Sequence, residues 1–289
     1  MFLSPNNLSS YVAGKCVPAL PVECLLEQGS GSLNEDVLLQ EEALFGVFDG
    51  ATSLNREIFA DGRTGGLLAA ETAALAFRRN GASLLDLSAR ANRLIREAME
   101  ARKVDLAEKK NLWSTSGAVV RLHDDHFEWC QIGDCLILVL RHDGSYHLLA
   151  DPPGQDVETL SLWKRLTLKR GECISEVLAD QIRKVRDGMN IHYGVFNGER
   201  EAMNFVRSGR ETLSGLSDIL LYTDGLSLPR SRPEEDDDLA TFVRLYRQGG
   251  LLAIRDQVRR MQQFDPACRV YPRFKSHDDI AAIAIPVSR

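Results

Sequence analysis

Between residues 116 and 149 strand-like runs follow one another with only turns between them, and that spacing constrains the fold more than any other feature. Ser116-Gly117-Ala118-Val119-Val120-Arg121-Leu122 and Phe127-Glu128-Trp129-Cys130-Gln131-Ile132 flank Asp124-Asp125. Leu136 to Arg141 and Tyr146 to Leu149 flank His142-Asp143-Gly144-Ser145, a strong hairpin signal. A parallel crossover needs about a dozen residues, usually a helix, and none fits in these gaps. The chain is therefore built on an antiparallel meander.

Around that meander the pattern alternates between strands and helix pairs. Val22 to Leu26 is strand-like, and strands are expected at about 37–40 and 43–49. Residues 63–79 read as a helix with Leu67, Leu68, Ala70, Ala74 and Phe77 on its apolar side, ended by Asn80-Gly81. Ser83 caps a second helix to about Lys103, with Leu84, Leu87, Ala91, Leu94, Ile95 and Met99 facing inward. Residues 156–188 are read as helical, with Ser175 as a cap, and 191–196 as a strand. An apolar strand ends at Asp224, two helices are expected near 237–247 and 250–263, and a last strand near 280–285. No repeat, linker or low-complexity segment interrupts the series, so residues 1–289 are read as one domain.

Composition excludes several functions. A net charge of −6, without a basic stripe carrying aromatics, argues against nucleic acid as a partner. No apolar run approaches membrane-spanning length, and Met1 to Asn7 lacks the basic start and apolar core of a signal peptide. The six cysteines have no framework spacing, as expected of reduced thiols in a cytoplasm. Cys130 and Cys135 would face opposite sides of a sheet, which reads as core and not as a zinc site with nearby histidines.

The chemistry-bearing residues are acids at strand ends. Leu44 to Phe48 stops at Asp49-Gly50, and Ile219 to Tyr222 stops just before Thr223-Asp224-Gly225. Asp278-Asp279 opens the run Ile280 to Ile285, and Asn34-Glu35-Asp36 opens Val37 to Leu39. The other Asp-Gly pairs have structural explanations: Asp143 in a hairpin turn, Asp187 at a helix end, Asp61 as a helix cap. Two carboxylates about 4 Å apart repel by roughly 4 kcal/mol at an effective dielectric near 20. If these acids meet they need a cation, and the flanking residues offer no Lys or Arg for it. An all-oxygen cluster suits Mg²⁺ or Mn²⁺ better than zinc.

Taken in order, these segments resemble the metal-dependent protein serine/threonine phosphatases of the PPM (type 2C) family. The resemblance rests on Asn34-Glu35-Asp36, Phe45 to Gly50, Ser114-Thr115-Ser116-Gly117-Ala118, Gln131-Ile132-Gly133-Asp134-Cys135, Leu220 to Gly225 and Ser276-His277-Asp278-Asp279-Ile280, over roughly residues 30–287. It implies an α+β fold: a four-layer αββα sandwich of two antiparallel sheets flanked by helices. It also implies that Asp49 bridges two Mg²⁺ or Mn²⁺ ions, with the Gly50 carbonyl on one of them. Asp224 and Asp278 would complete one shell, and Asp36, with Glu35, would serve the other. Asp134 resembles the ligand of a third ion. The implied reaction is hydrolysis of phosphoserine and phosphothreonine in a protein substrate by a water activated between two metals.

Two departures stand out. Many members carry an arginine before the acidic pair to hold the substrate phosphate, and here the matching place is near Gly31, with no basic residue between Lys15 and Arg56. The loop after Gly50 is Ala51-Thr52-Ser53, where relatives have His or Gly-Gly. Arg56 or Arg63 is a candidate for the phosphate role, and His277 for a proton donor. The missing arginine also supports a second reading, a phosphatase-like regulatory or binding module with weak or no turnover. A haloacid-dehalogenase-type phosphatase would need a second acid where Ala51 stands, and a parallel sheet.

Overall fold

In the computed structural model, residues 21–51, 54, 57–78, 81–166 and 174–287 are described. Among these residues, ten strands form two five-stranded antiparallel sheets. The first sheet has the order β1-β10-β9-β6-β7, where β1 is Glu23–Glu27, β6 Leu136–Arg141, β7 Tyr146–Leu148, β9 Leu216–Tyr222 and β10 Ile280–Pro286. The second runs β2-β3-β4-β5-β8, where β2 is Asp36–Gln40, β3 Leu44–Gly50, β4 Thr115–Leu122, β5 His126–Ile132 and β8 Arg207–Thr212.

The inner strands β3, β4, β6, β9 and β10 are largely apolar because both of their faces are covered, by the other sheet on one side and by helices on the other. Side chains alternate across a strand. Phe45, Val47, Ala118, Val120, Ile137, Val139, Ile219, Leu221, Ala281 and Ile283 therefore point into the seam between the sheets. Phe48, Val119, Cys130 and Ile132 point the other way, against α1 (Gly65–Phe77) and α2 (Leu84–Ala101). On the far side Leu138, Leu220, Tyr222 and Ala282 meet α6 (Leu239–Phe264) through Phe242, Leu251, Ile254 and Val258. The result is the expected αββα sandwich. Cys130 and Cys135 lie in different layers, both buried.

Several local expectations change. Helix α1 is capped by Thr64, whose Oγ1 accepts from Leu67 N at 3.2 Å, and not by Asp61. Asp61 instead accepts from the Arg63 backbone and guanidinium. The stretch 156–188 divides into α3 (Val157–Arg165), α4 (Ile174–Val177) and α5 (Ala179–Asp187), with Ser175 inside α4 and not at its cap. Asn80, expected to end α1, lies outside the described residues.

Residues 191–196 make isolated bridges and no strand. Asn190, at φ 55°, turns the chain there, and its side chain bonds Val195 N and Asn197 Oδ1 in place of a ladder. Strand β8 was not anticipated: Arg-Ser-Gly-Arg-Glu-Thr has no apolar alternation because it is an exposed edge. In α6, non-helical backbone at Gly249 and Gly250 separates the two helical stretches anticipated there.

Candidate active site

The acids meet because of strand parity. Asp49 lies two residues beyond Val47, so it continues the row that fills the seam and emerges at that row's end. Asp36 is its cross-strand partner on β2, and Ser116 is its partner on β4. From the other sheet, Thr223 continues the Ile219–Leu221 row and donates from Oγ1 to Asp36 Oδ2 at 2.7 Å. Asp224 follows in a short 3-10 turn. Asp279 continues the row of Ala281 and Ile283, is buried, and accepts from Gly29 N at 2.7 Å and Glu35 N at 2.9 Å. One end of the inter-sheet seam is thus lined by carboxylates from both sheets.

Asp49, Asp134, Asp224 and Asp278 line one cavity of about 500 Å³, and the last three also border a neighbouring one of about 350 Å³. Asp36 sits behind them, buried on Thr223. Glu35 faces away from the cavity and accepts from Thr64 Oγ1 at 2.5 Å, at the start of α1. Gly50 donates to the Glu35 carbonyl at 3.2 Å, and a Cβ there would lie 2.5 Å from the Gly66 backbone. At Gly225 a Cβ would meet the Asp279 carbonyl at 1.8 Å, so both glycines are needed where backbone touches backbone. Asp134 is held through both oxygens, by Ser116 Oγ at 2.6 Å and Gln155 Nε2 at 2.7 Å.

Crowding shows in the titration of these groups. Burial first, and then Asp278, Asp279 and Asp224, hold Asp36 well above the usual carboxylate range, against the pull of its bond from Thr223. Asp49 is raised by burial and then by Asp36, Asp134 and Asp278. Asp224 has an exposed surface within the cavity, yet enclosure by the cavity walls, then Asp49 and Asp278, raise it as well. Such mutual repulsion among oxygen donors is what a hard divalent cation relieves, so the donor chemistry fits Mg²⁺ or Mn²⁺. As the side chains stand, no group of three or more His, Cys, Asp or Glu among the described residues is arranged to hold a metal ion. The fold brings the carboxylates to one place without closing a coordination shell.

Some expected residues are elsewhere. Arg63 is committed to Asp61 and Glu71, each at 2.7 Å, and does not border either cavity. Arg56 lies outside the described residues. His277 does not border the cavities either; its Nε2 is enclosed without a hydrogen bond. Burial, then Arg259 and Arg273, lower its pKa, which opposes a proton-donor role near neutral pH. Gly31 is exposed.

Sequence reasoning missed several charged residues of the cavity, Lys275, Asp156 and Arg186 among them. Lys275, contrary to the reading that no flanking cation exists, bonds Asp278 Oδ1 at 2.7 Å. Its position three residues before Asp278 was the available signal. Asp156 stands at the N-cap of α3 without a side-chain cap bond. Burial, then Asp134, push its pKa up to about 7, while Arg186 pulls it down. Arg186, on α5, borders the larger cavity and donates to Ser114 Oγ at 3.2 Å. Its helical spacing carries no signal of a site.

Comparison with known proteins gives the context. Residues 27–260 match the sequence profile of the family described as protein phosphatase 2C. No curated protein matches the chain. Among solved structures, the catalytic domain of the serine/threonine protein phosphatase PstP, in complex with two manganese ions, is similar with a TM-score of 0.55 and 16% identity, covering 93% of this chain and 98% of that one. Stp1 from Staphylococcus aureus, a serine/threonine phosphatase, has a TM-score of 0.57 at 14% identity, covering 96% and 100%. PppA, described as a key regulatory component of T6SS in Pseudomonas aeruginosa, has 0.55 at 16%, covering 93% and 97%. At these identities the structural likeness speaks for the fold alone.

Proposed function

The chain belongs to the protein phosphatase 2C family, and we propose that it is a metal-dependent phosphomonoester hydrolase acting on phosphoserine and phosphothreonine in proteins. The observation that carries this reading is the group of carboxylates Asp49, Asp134, Asp224 and Asp278 on one cavity, with Asp36 directly behind. Two Mg²⁺ or Mn²⁺ ions bound there would lower the pKa of a water and neutralise charge on the phosphoryl oxygens. Asp49, Asp224 and Asp278 are the proposed principal ligands, with Asp36 and the Gly50 carbonyl assisting and Asp134 serving a third ion.

The rest of the chain positions these groups. Thr223 fixes the Asp36 carboxylate, Ser116 and Gln155 fix Asp134, and Asp279 ties the Gly29 and Glu35 backbones to the start of β10. Lys110, Arg183, Arg186 and Lys275 border the larger cavity, so it carries positive charge for a phosphoryl group even without an arginine near Gly31. No helix among the described residues is long and apolar enough to cross a membrane. The free thiols of Cys24, Cys130, Cys135 and Cys268 support a reducing, cytoplasmic setting.

Hydrolysis of p-nitrophenyl phosphate with Mn²⁺, without it, and after EDTA tests the proposal, followed by phosphoserine, phosphothreonine and phosphotyrosine peptides. Turnover should require the metal and favour the first two peptides. Asp49→Asn and Asp224→Asn should each lower kcat at least ~100-fold with the fold retained, while Asp143→Asn, in an exposed turn, leaves it unchanged. Full activity in either cavity variant at equal metal would remove the metal assignment. The binding-module reading, which the absent arginine near Gly31 favours, predicts no metal-dependent turnover in the wild type at all.

A further inference from the structure

The carboxylate cavity contains a tethered cation. Lys275 lies in the loop entering β10; its Nζ donates to Asp278 Oδ1 at 2.7 Å, and the same oxygen accepts from Asp279 N at 2.9 Å. Its side chain is 29% exposed and borders both cavities beside Asp134 and Asp224, and its charge also bears on Asp49. A purely structural role for this side chain is already filled by others. Arg273 holds the loop through the carboxylate of Asp265 and the carbonyls of Gln262 and Ser276, and Arg259 donates to the Asp278 carbonyl. What Lys275 adds is a positive charge on a carboxylate that the proposed metal also needs.

On the metal-centre reading above, we propose that Lys275 is a built-in counter-ion that competes with the divalent cation for Asp278 and thereby sets how tightly the metal is held. An ammonium on the ligand oxygen uses lone-pair density that the metal needs, and at short range it repels a divalent ion. With the metal removed, the same charge offsets repulsion among the acids, so the cavity stays assembled. Loading is then an exchange in which the incoming cation displaces an ammonium already tied to the chain. Affinity is moderated, and the metal-depleted protein is protected.

The test is calorimetric Mn²⁺ titration of EDTA-treated wild type, Lys275→Met and Lys275→Gln, with thermal unfolding of each protein with and without excess Mn²⁺. Met keeps the apolar stem, and Gln also keeps a hydrogen-bond donor without the charge. Both variants should bind Mn²⁺ at least ~10-fold more tightly, equivalent to about 1.4 kcal/mol. Both should unfold at lower temperature than wild type after EDTA, and excess Mn²⁺ should erase that difference. Unchanged or weaker affinity in both variants would overturn the proposal, as would a Gln variant that binds like wild type while Met differs, since the hydrogen bond would then be what matters. A variant that stays unfolded in excess Mn²⁺ would also overturn it, by showing a packing role. If the wild type binds no Mn²⁺, the metal-centre reading itself fails and takes this inference with it. Normal wild-type binding with unaltered variants overturns only the role of Lys275.

Discussion

A carboxylate can belong to this site without facing its cavity, and Asp279 is the case in point. Buried at 4% exposure, it uses each oxygen on a backbone amide, Gly29 N and Glu35 N, far away in sequence. Removing it strands two donors at the junction where the N-terminal segment meets β10. Asp279→Ala should therefore lower stability by about 3–6 kcal/mol, since hydrogen bonds to a charged group contribute about 1.5–3 kcal/mol each. Urea unfolding of the variant would show this as a lower midpoint at unchanged slope. An exposed acid such as Asp143, bonded only within its own turn through Ser145, should change stability by less than ~0.5 kcal/mol when made Asn.

At the scale of elements, α1, α2 and α6 each start at a side-chain cap and bury apolar residues against a sheet. Ser83 accepts from Asp86 N at 3.1 Å and donates to the Asp86 carboxylate at 2.7 Å, a reciprocal cap that starts α2. Leu84, Leu87, Ala91, Ile95 and Met99 then recur at helical spacing and are buried against the second sheet and α1. Ser83→Ala removes the acceptor and should cost about 1 kcal/mol; a matching fall in unfolding free energy, with activity per folded molecule unchanged, is the expected result. The seam strands tolerate less. Leu221 and Ile283 are fully enclosed between the sheets, where truncation to Ala removes about 2–5 kcal/mol.

For the whole molecule, the buried acids make stability depend on pH. Asp36, Asp49 and Asp224 are held well above their ordinary value of 3.8, and Asp156 is pushed to about 7. Above pH 4 the unfolded chain has released protons that the folded chain still retains, so stability falls as pH rises through these folded pKa values. Acids held low by partners, such as Asp61 at about 2, act in the opposite direction, but their window lies below about pH 4. EDTA-treated protein should thus lose at least ~1 kcal/mol of unfolding free energy between pH 5 and pH 7.5. Saturating Mn²⁺ favours the ionised carboxylates, so it should flatten or reverse that slope. A metal-free profile that rises over this range would show that the acids are not crowded in solution.

From the residues alone, the antiparallel meander, both α1–α2 and the paired stretches of α6, and the acidic strand ends were all legible. Each depends on local chemistry: turn residues between short apolar runs, a cap followed by helical spacing, a charge that stops an apolar strand. That Asp36 and Asp49 share a face depends on the register that pairs them across β2 and β3, since a slip of one residue would turn them apart. The tertiary structure alone decided which neighbours complete the site. Thr223 reaches Asp36 only because two sheets stack with matching seam rows, and Arg186 reaches the cavity only because α5 forms part of its wall. The exposed strand β8 was invisible because an edge strand borrows its register from β5 and needs no apolar pattern of its own. Lys275 was in plain view, but its partner is set by how the loop folds back on Asp278, a contact that spacing permits and only packing selects.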